Sequence, residues 1–171
     1  MALTLLLGGA RSGKSKLAVR AAQAWEGSVL FVATGTAEDA EMAARIERHR
    51  AERPAGWATL EEPAALTDAV RSADPGSCVV VDCLSLWVAN LLQLGWNDER
   101  VEAEAEAAAR VAAEREAPTV VVSNEVGLGI VPETPLGRRY RDLLGRVNGI
   151  FAAAADDPFF VVAGRKLRLE K

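Results

Sequence analysis

Short apolar runs alternate with longer stretches in which apolar residues recur at helical spacing. Five runs are almost continuously hydrophobic, which is typical of strands buried on both faces of a parallel sheet. They are residues 3–7 (LTLLL), 28–34 (SVLFVAT), 78–82 (CVVVD), 119–123 (TVVVS) and 158–164 (PFFVVAG). Helical patterns lie between them at residues 14–25, 37–53, 84–94, 98–116 and 136–155. This order predicts an α/β fold with a helix-flanked, mostly parallel sheet.

Residues 57–63 (WATLEEP) allow two interpretations, a further short strand or an extended connection. No repeat or linker divides the chain, so residues 1–171 are predicted to form a single domain. The alanine-rich segment 98–116 favours a helix with a narrow apolar stripe and a solvated acidic face. Its glutamates supply much of the net charge of −4, which argues against a general nucleic-acid-binding protein.

The two cysteines, Cys78 and Cys83, lack the C-x-x-C spacing of a zinc or redox motif. Two buried thiols in a reducing cytoplasm are therefore expected. No apolar run is long enough to cross a membrane, and MALTLLLGG is too short and lacks the basic start of a signal peptide. We therefore expect a cytoplasmic protein without a membrane span.

Residues 8–15 (GGARSGKS) contain the complete P-loop pattern, G-x-x-x-x-G-K-S, with a predicted strand before it and a predicted helix after it. Backbone N–H groups from Gly9 to Ser15 can surround phosphate oxygens, and the positive end of the following helix favours the same anion. The pattern predicts that Lys14 reaches the β- and γ-phosphates of a nucleotide and that Ser15 places its hydroxyl on Mg²⁺.

Acidic residues follow two of the predicted strands. Asp82 ends the strand 78–82, where it could bind the metal of the P-loop nucleotide, although aspartate is also a favoured helix cap. Glu125 follows the strand 119–123 and could orient a water molecule or act as a base toward an attacking hydroxyl. Because the carboxyl ends of parallel strands meet at one edge of the sheet, both belong to the crevice where α/β proteins bind ligands.

The loop GLGIVPE after Glu125 could close over a ligand, and three arginines of the helix that follows could contact phosphate. Without further information a solvated helix face is the preferred explanation of those arginines, which are Arg138, Arg139 and Arg141.

His49 is the only histidine in the chain, and four arginines lie close to it in sequence. Nearby cations disfavour the imidazolium, so the ring is biased toward its neutral, nucleophilic form. Arginines are also suited to hold polyphosphate. Sequence physics alone favours a solvated helix face here, because exposed histidines are common. The four arginines are Arg45, Arg48, Arg50 and Arg53.

Four segments together resemble the bifunctional adenosylcobinamide kinase/adenosylcobinamide-phosphate guanylyltransferase family of cobalamin biosynthesis. They run nearly end to end and are GGARSGKS, EMAARIERHRAERPAGWATLEE, SNEVGLGIVPETPLGRRYRDLLGRVN and AAAADDPFFVVAGRKLRLEK. The resemblance implies a RecA-like P-loop fold, a homotrimer, and ATP and GTP as substrates with Mg²⁺. It also implies two reactions, phosphorylation of adenosylcobinamide and transfer of GMP from GTP to adenosylcobinamide phosphate.

The same resemblance implies a role for individual residues. His49 matches the histidine that carries GMP covalently in the family, a two-step route in which a neutral imidazole attacks the α-phosphorus. Glu61 matches an acidic position near the guanine, where a carboxylate could accept both N1–H and the exocyclic amine. The implied nucleotide-binding residues are Gly8, Gly9, Ala10, Arg11, Ser12, Gly13, Lys14, Ser15, Ala33, Thr34, Gly35, Arg50, Ala51, Glu52, Arg53, Glu61 and Asp82.

Two other functions remain open at the level of sequence. A single-activity small-molecule kinase would use the P-loop but would leave His49 and its arginines without a role. A nucleotide-binding regulatory module would leave NEVGLGIVPE (residues 124–133) unexplained. The C-terminal segment GRKLRLEK (residues 164–171) is more basic than the resemblance leads us to expect, and its role stays open.

Overall fold

The structure is a computed structural model that describes residues 3–36, 40–51 and 53–170, without the side chains of residues 41, 42, 45, 48 and 49. It contains strands β1 (Leu3–Gly8), β2 (Val29–Ala33), β3 (Ala58–Glu61), β4 (Cys78–Asp82), β5 (Thr119–Asn124), β6 (Asp157–Val162) and β7 (Arg165–Arg168). Its helices are α1 (Lys14–Gln23), α2 (Ala40–Ala51), α3 (Leu66–Arg71), α4 (Leu84–Gln93), α5 (Asp98–Glu114) and α6 (Pro135–Ala154).

The seven strands form one sheet in the order β3-β2-β4-β5-β1-β6-β7. All neighbouring pairs are parallel except β6 and β7, which form an antiparallel hairpin. The α/β fold with a mostly parallel sheet is thus confirmed, and residues 57–63 supply a strand, β3.

Two hydrophobic cores cover the two faces of the sheet. On one face α1 packs through Ala18 and Ala22 against side chains such as Phe31 and Val80. On the other face α3, α4, α5 and α6 enclose a larger core that includes Trp87 and Phe151. Successive side chains of a strand alternate between these faces, which explains why the predicted strands are apolar throughout.

Most helix and strand ends agree with the sequence prediction to within two residues, and the following differences stand out. Helix α2 ends at Ala51, and residues 37–39 and 52 of the predicted helix lie outside the described part of the chain. Helix α3 was not predicted, since its six residues are too few for a clear period. The strand predicted over 158–164 is wrong at its end, because Ala163 and Gly164 have positive φ angles of 50° and 72° and turn the chain into β7.

The alanine-rich helix and the cysteines agree with the sequence interpretation. The buried stripe of α5 consists of Val101, Ala105, Ala108, Ala109 and Ala112. Cys78 and Cys83 are buried free thiols, and burial raises the pKa of each to about 11. Among the described residues no helix is both long and apolar enough to span a membrane.

Candidate active site

The P-loop pattern forms the turn between β1 and α1, as its sequence context predicts. Gly13 precedes the helix with φ of 100°, a conformation that favours glycine. The buried Lys14 side chain lies back across the loop, where its Nζ donates to the Gly9 carbonyl oxygen at 2.6 Å and to Ser12 Oγ at 3.3 Å. The residues from Gly8 to Ser15 are therefore brought together around the start of α1.

At Gly8 the start of this loop passes very close to strand β6. A Cβ added there would lie 2.2 Å from the Val161 carbonyl oxygen of β6, whereas a Cβ added at Gly9 would meet nothing within 4 Å. Only glycine therefore fits between β1 and β6 at the start of the loop.

A Gly8→Ala variant is expected to lose about 2–3 kcal/mol of stability, because backbone atoms have to move to admit the methyl group. For a chain of this size the melting temperature should fall by roughly 4–12 °C. Gly9→Ala is the matched control and should melt close to the wild type. Equal melting temperatures for the two variants in a thermal unfolding experiment would contradict this packing.

The turn between β6 and β7 rests directly on the P-loop. Gly164 N–H donates to the Ser12 carbonyl oxygen at 2.8 Å, and a Cβ on Gly13 would lie 3.2 Å from Gly164 Cα. Sequence reasoning missed this contact, although Gly164 and the basic residues after it were a signal that the last strand turns back.

A cleft of about 350 Å³ opens beside the P-loop. The P-loop residues Gly9–Ser12 form one side, Glu125 and Leu128 a second, and residues 160–163 a third. Glu125 is held by two backbone contacts, since its N–H donates to the Gly8 carbonyl oxygen and its Oε1 accepts from Gly127 N–H at 2.5 Å. A partly buried carboxylate thus lies in the cleft beside the P-loop.

Asp82 and Ser15 lie on the same face of the sheet. Asp82 ends β4 two residues after Val80, which packs in the α1 core, and Ser15 is the second residue of α1. Among the described residues no group of three or more His, Cys, Asp or Glu could hold a metal by itself. One carboxylate and one hydroxyl suit Mg²⁺, which commonly takes its remaining ligands from phosphates and water.

The neighbouring end of β2 is fixed to β4 through Thr34. Its buried Oγ1 donates to the Cys83 carbonyl oxygen at 2.7 Å and accepts from Cys83 N–H at 2.8 Å. Asn90 Nδ2 donates to the Thr34 carbonyl oxygen at 2.7 Å. Thr34 therefore has a structural role at this edge of the sheet, and its side chain is not available to a nucleotide.

A further polar network that sequence reasoning missed supports the end of β5. Asn124 Nδ2 donates to Ser85 Oγ at 2.7 Å, and Tyr140 OH donates to the Ser85 carbonyl oxygen at 3.0 Å. Burial raises the pKa of Tyr140 to about 12, so this hydroxyl stays protonated. Asn148 and Ser123 continue the network on α6 and β5. This network fixes the end of β5, and Glu125 is the next residue of the chain.

A second cleft, of about 470 Å³, lies over the ends of β2 and β3 and against α2. Its lining includes Ala33, Gly35, Arg50 and Glu61. Arg50 joins two carboxylates there, because Nη2 lies 2.5 Å from Glu61 Oε1 and Nη1 lies 3.0 Å from Glu47 Oε1. Four residues that the resemblance assigns to nucleotide binding thus surround one cavity.

Arg53 lies beside this cleft with its guanidinium 3.6 Å from the centre of the Phe31 ring. Burial lowers its pKa and the neighbouring Arg50 lowers it further, whereas Asp82 and Glu61 act in the opposite direction. Its buried Nε–H has no hydrogen-bond partner among the described residues. An unpaired buried donor on a cation is well suited to receive a phosphate oxygen.

Position 49 lies on α2, one residue before Arg50 and two before Ala51, and the side chain of His49 lies outside the described part of the chain. Glu52 lies outside it as a whole. The structure therefore places the backbone of the predicted nucleophile on the helix that lines the second cleft.

The three arginines of α6 that could contact phosphate each bind other groups of the protein. Arg138 donates to the carbonyl oxygens of Pro132 and Glu133, and Arg139 pairs with Asp98 at 2.7 Å. Arg141 pairs with its neighbour Asp142. These contacts favour a structural explanation, in which Arg138 holds the end of the loop that follows Glu125.

A glycine-rich turn between the first strand and first helix, at the carboxyl edge of a parallel sheet, defines a P-loop nucleotide-binding protein. The RadB recombinase has the same fold, with a TM-score of 0.51 and 15% sequence identity over 93% of this chain and 73% of the recombinase chain. This likeness supports a RecA-like arrangement of the sheet.

Sequence comparison gives the particular family. A family model described as "Cobinamide kinase / cobinamide phosphate guanyltransferase" matches residues 4–169. The bifunctional adenosylcobalamin biosynthesis protein CobP of Pseudomonas aeruginosa is 47% identical, with 97% of this chain and 96% of the relative covered. The corresponding protein CobU of Escherichia coli is 40% identical over 98% and 99%. The chain therefore belongs to the cobinamide kinase/cobinamide phosphate guanyltransferase family and is a bifunctional transferase.

Proposed function

We propose that this enzyme first phosphorylates the aminopropanol hydroxyl of adenosylcobinamide with a nucleoside triphosphate. It then transfers GMP from GTP to the resulting phosphate through a histidine–GMP intermediate, and adenosylcobinamide-GDP is the product. The observation that carries the proposal is the presence of two clefts at one edge of the sheet, one at the P-loop and one at Arg50 and Glu61. Two clefts suit two transfers better than a single-activity kinase.

In the first reaction the P-loop binds the triphosphate and Lys14 moves its ammonium from the Gly9 carbonyl oxygen to the β- and γ-phosphates. Ser15 and Asp82 would hold Mg²⁺, which supplies charge neutralisation on the phosphates when bound. Glu125 accepts the proton of the attacking hydroxyl or orients it. The bond from the γ-phosphorus to the acceptor oxygen forms as the bond to the leaving nucleoside diphosphate breaks.

In the second reaction the neutral imidazole of His49 attacks the α-phosphorus of GTP and pyrophosphate leaves. Adenosylcobinamide phosphate then attacks the same phosphorus, so that the P–N bond breaks and the P–O–P link of the product forms. Arg50 and Arg53 bind the phosphates, and the unpaired Nε–H of Arg53 supports this assignment.

The two clefts lie at different strands of the sheet, and the distance between them indicates where each reaction takes place. The strands β2 and β1 are three steps apart in the sheet, which corresponds to roughly 14 Å at the usual strand spacing. We propose that the guanine of GTP occupies the cleft at Glu61 while the phosphoryl transfer takes place beside the P-loop.

A Glu61→Gln variant is expected to weaken GTP binding by about 10- to 100-fold and ATP binding by less than about 3-fold, because an amide cannot accept both guanine N–H donors. Glu47→Gln is the matched control, since Glu47 binds the same Arg50 and lines the same cleft. Calorimetric titration with each nucleotide measures both effects. An equal loss for GTP and ATP, or an equal loss in both variants, would refute a role in base recognition.

A direct assay tests the whole function. The purified protein is incubated with adenosylcobinamide, ATP, Mg²⁺ and GTP that is labelled at the α-phosphate, and the corrinoids are separated by chromatography. The proposal requires a phosphorylated corrinoid with ATP alone and a labelled corrinoid with GTP. A phosphorylated corrinoid that carries no label from GTP would instead support a single-activity kinase.

We also propose a homotrimer in the cytoplasm. The loop between β5 and α6 exposes Leu128, Ile130 and Val131, and such apolar surfaces commonly contact a partner or a ligand. The free thiols Cys78 and Cys83 suit a reducing compartment. Light scattering should give three times the mass of the chain.

A further inference from the structure

The β6–β7 hairpin presents two different faces. Side chains that lie directly opposite each other in an antiparallel pair share a face of the sheet, so Arg165 shares a face with Val162 and Leu167 shares it with Phe160. Val162 and Phe160 line the cleft beside the P-loop. Val161 lines the cleft as well, but its side chain is buried in the core under α1. Arg165 therefore shares a face with Phe160 and Val162, two of the four hairpin residues that line the cleft.

Lys166 occupies the other face. In the strand register it lies opposite Val161, whose side chain is buried in the core under α1. The ammonium of Lys166 lies 4.4 Å from the centre of the Phe159 ring. Arg168 shares this face and forms an ion pair with Asp157. The neighbouring residues Arg165 and Lys166 thus lie on opposite faces of the hairpin and have different surroundings.

The position of Arg165 relative to the P-loop is fixed by the turn that precedes it. The two central residues of the turn, Ala163 and Gly164, both have positive φ, which is typical of a tight two-residue hairpin. Gly164 N–H is bonded to the Ser12 carbonyl oxygen, so Arg165 is one residue away from a direct backbone contact with the phosphate loop.

The charge of Arg165 is not used elsewhere in the described part of the chain. No ion pair, hydrogen bond or ring contact involves its exposed side chain there, in contrast to Lys166 and Arg168. The cleft beside the P-loop is lined by one further cation, Arg11, and by one carboxylate, Glu125. A cation that is exposed, has no other partner among the described residues and follows a turn bonded to the P-loop is suited to bind the transferred group.

We propose that Arg165 is a catalytic residue of the kinase reaction, which contacts the γ-phosphoryl group during its transfer. The inference rests on the proposed function, since it assumes that this transfer takes place at the P-loop. The guanidinium keeps its protons and stabilises the negative charge on the oxygens of the phosphoryl group as the P–O bond to the leaving diphosphate breaks. This gives the basic C-terminal segment a role.

The test compares Arg165→Ala with Lys166→Ala, which removes the same charge from the next residue on the opposite face. Arg165→Ala should lower kcat for adenosylcobinamide phosphorylation by about 100-fold while KM for ATP changes less than about 3-fold. Lys166→Ala should retain kcat within about 3-fold. Arg165→Lys and added guanidinium should each restore part of the lost rate. Because Arg165 is exposed, both alanine variants should melt near the wild-type temperature.

Guanylyl transfer to supplied adenosylcobinamide phosphate is a second readout on the same samples. It should be unchanged in Arg165→Ala, because the hairpin and the cleft at Glu61 lie at opposite ends of the sheet. Equal kcat values for the two alanine variants, or a loss in Arg165→Ala that guanidinium and Arg165→Lys do not restore, would overturn the inference. Failure of the proposed function is distinguishable, since the wild type itself would then give no phosphorylated corrinoid.

Discussion

A His49→Ala variant is expected to form no covalent nucleotide adduct and to lose guanylyl transfer by more than about 1000-fold. The physical reason is that in the proposed mechanism the imidazole forms the only bond between enzyme and GMP, and no other histidine in the chain can replace it. With GTP labelled at the α-phosphate, the wild type should retain acid-labile, alkali-stable label on the protein, as a phosphoramidate does. The variant should retain none.

The kinase activity of the same variant serves as the control. Phosphorylation of adenosylcobinamide by ATP should continue at a measurable rate in His49→Ala, because the P-loop residues lie between β1 and α1, at a distance from α2 along the sheet edge. Retained kinase activity also shows that the variant is folded. Label that persists on the His49→Ala protein with the same acid lability would remove His49 from the role of nucleophile.

Replacement of Lys14 with alanine is expected to cause the second large loss of activity, in the kinase reaction. The ammonium of Lys14 already lies inside the loop, 2.6 Å from the Gly9 carbonyl oxygen, and is buried where solvent competes little for a phosphate. Its removal should lower kcat/KM for adenosylcobinamide phosphorylation by about 100- to 1000-fold. Steady-state kinetics with ATP as the varied substrate measures the loss.

Lys16 offers a matched control two residues away. It carries the same charge on the same first turn of α1 but is exposed to solvent. Lys16→Ala should keep kcat/KM within about 3-fold, since a surface charge contributes little to a specific contact. Thermal unfolding separates a catalytic loss from a loss of structure in Lys14→Ala. Similar activities for the two variants would show that the buried lysine does not bind the transferred phosphate.

The sequence predicts the elements of this fold well where the signal is local. The continuous apolar runs identify β1, β2, β4 and β5, because a strand buried on both faces needs apolar side chains in succession. It fails at α3 and at the turn 163–164, where the elements are short and non-local packing decides the conformation. The hydrogen bonds between Thr34 and Cys83 could not be predicted either, since the two residues are distant in sequence.

The amino-acid sequence by itself determined the α/β class, the P-loop and the family motifs. These depend on hydrophobic period, backbone freedom at glycine and residue spacing, all of which are properties of short segments. Only the tertiary structure showed that the C-terminal turn rests on the P-loop and that Arg50 joins Glu61 to Glu47. It also showed that Arg165 and Lys166 lie on opposite faces of the hairpin. The physical reason is that each of these contacts joins segments that meet only when the sheet forms, and strand register then assigns every side chain to one face.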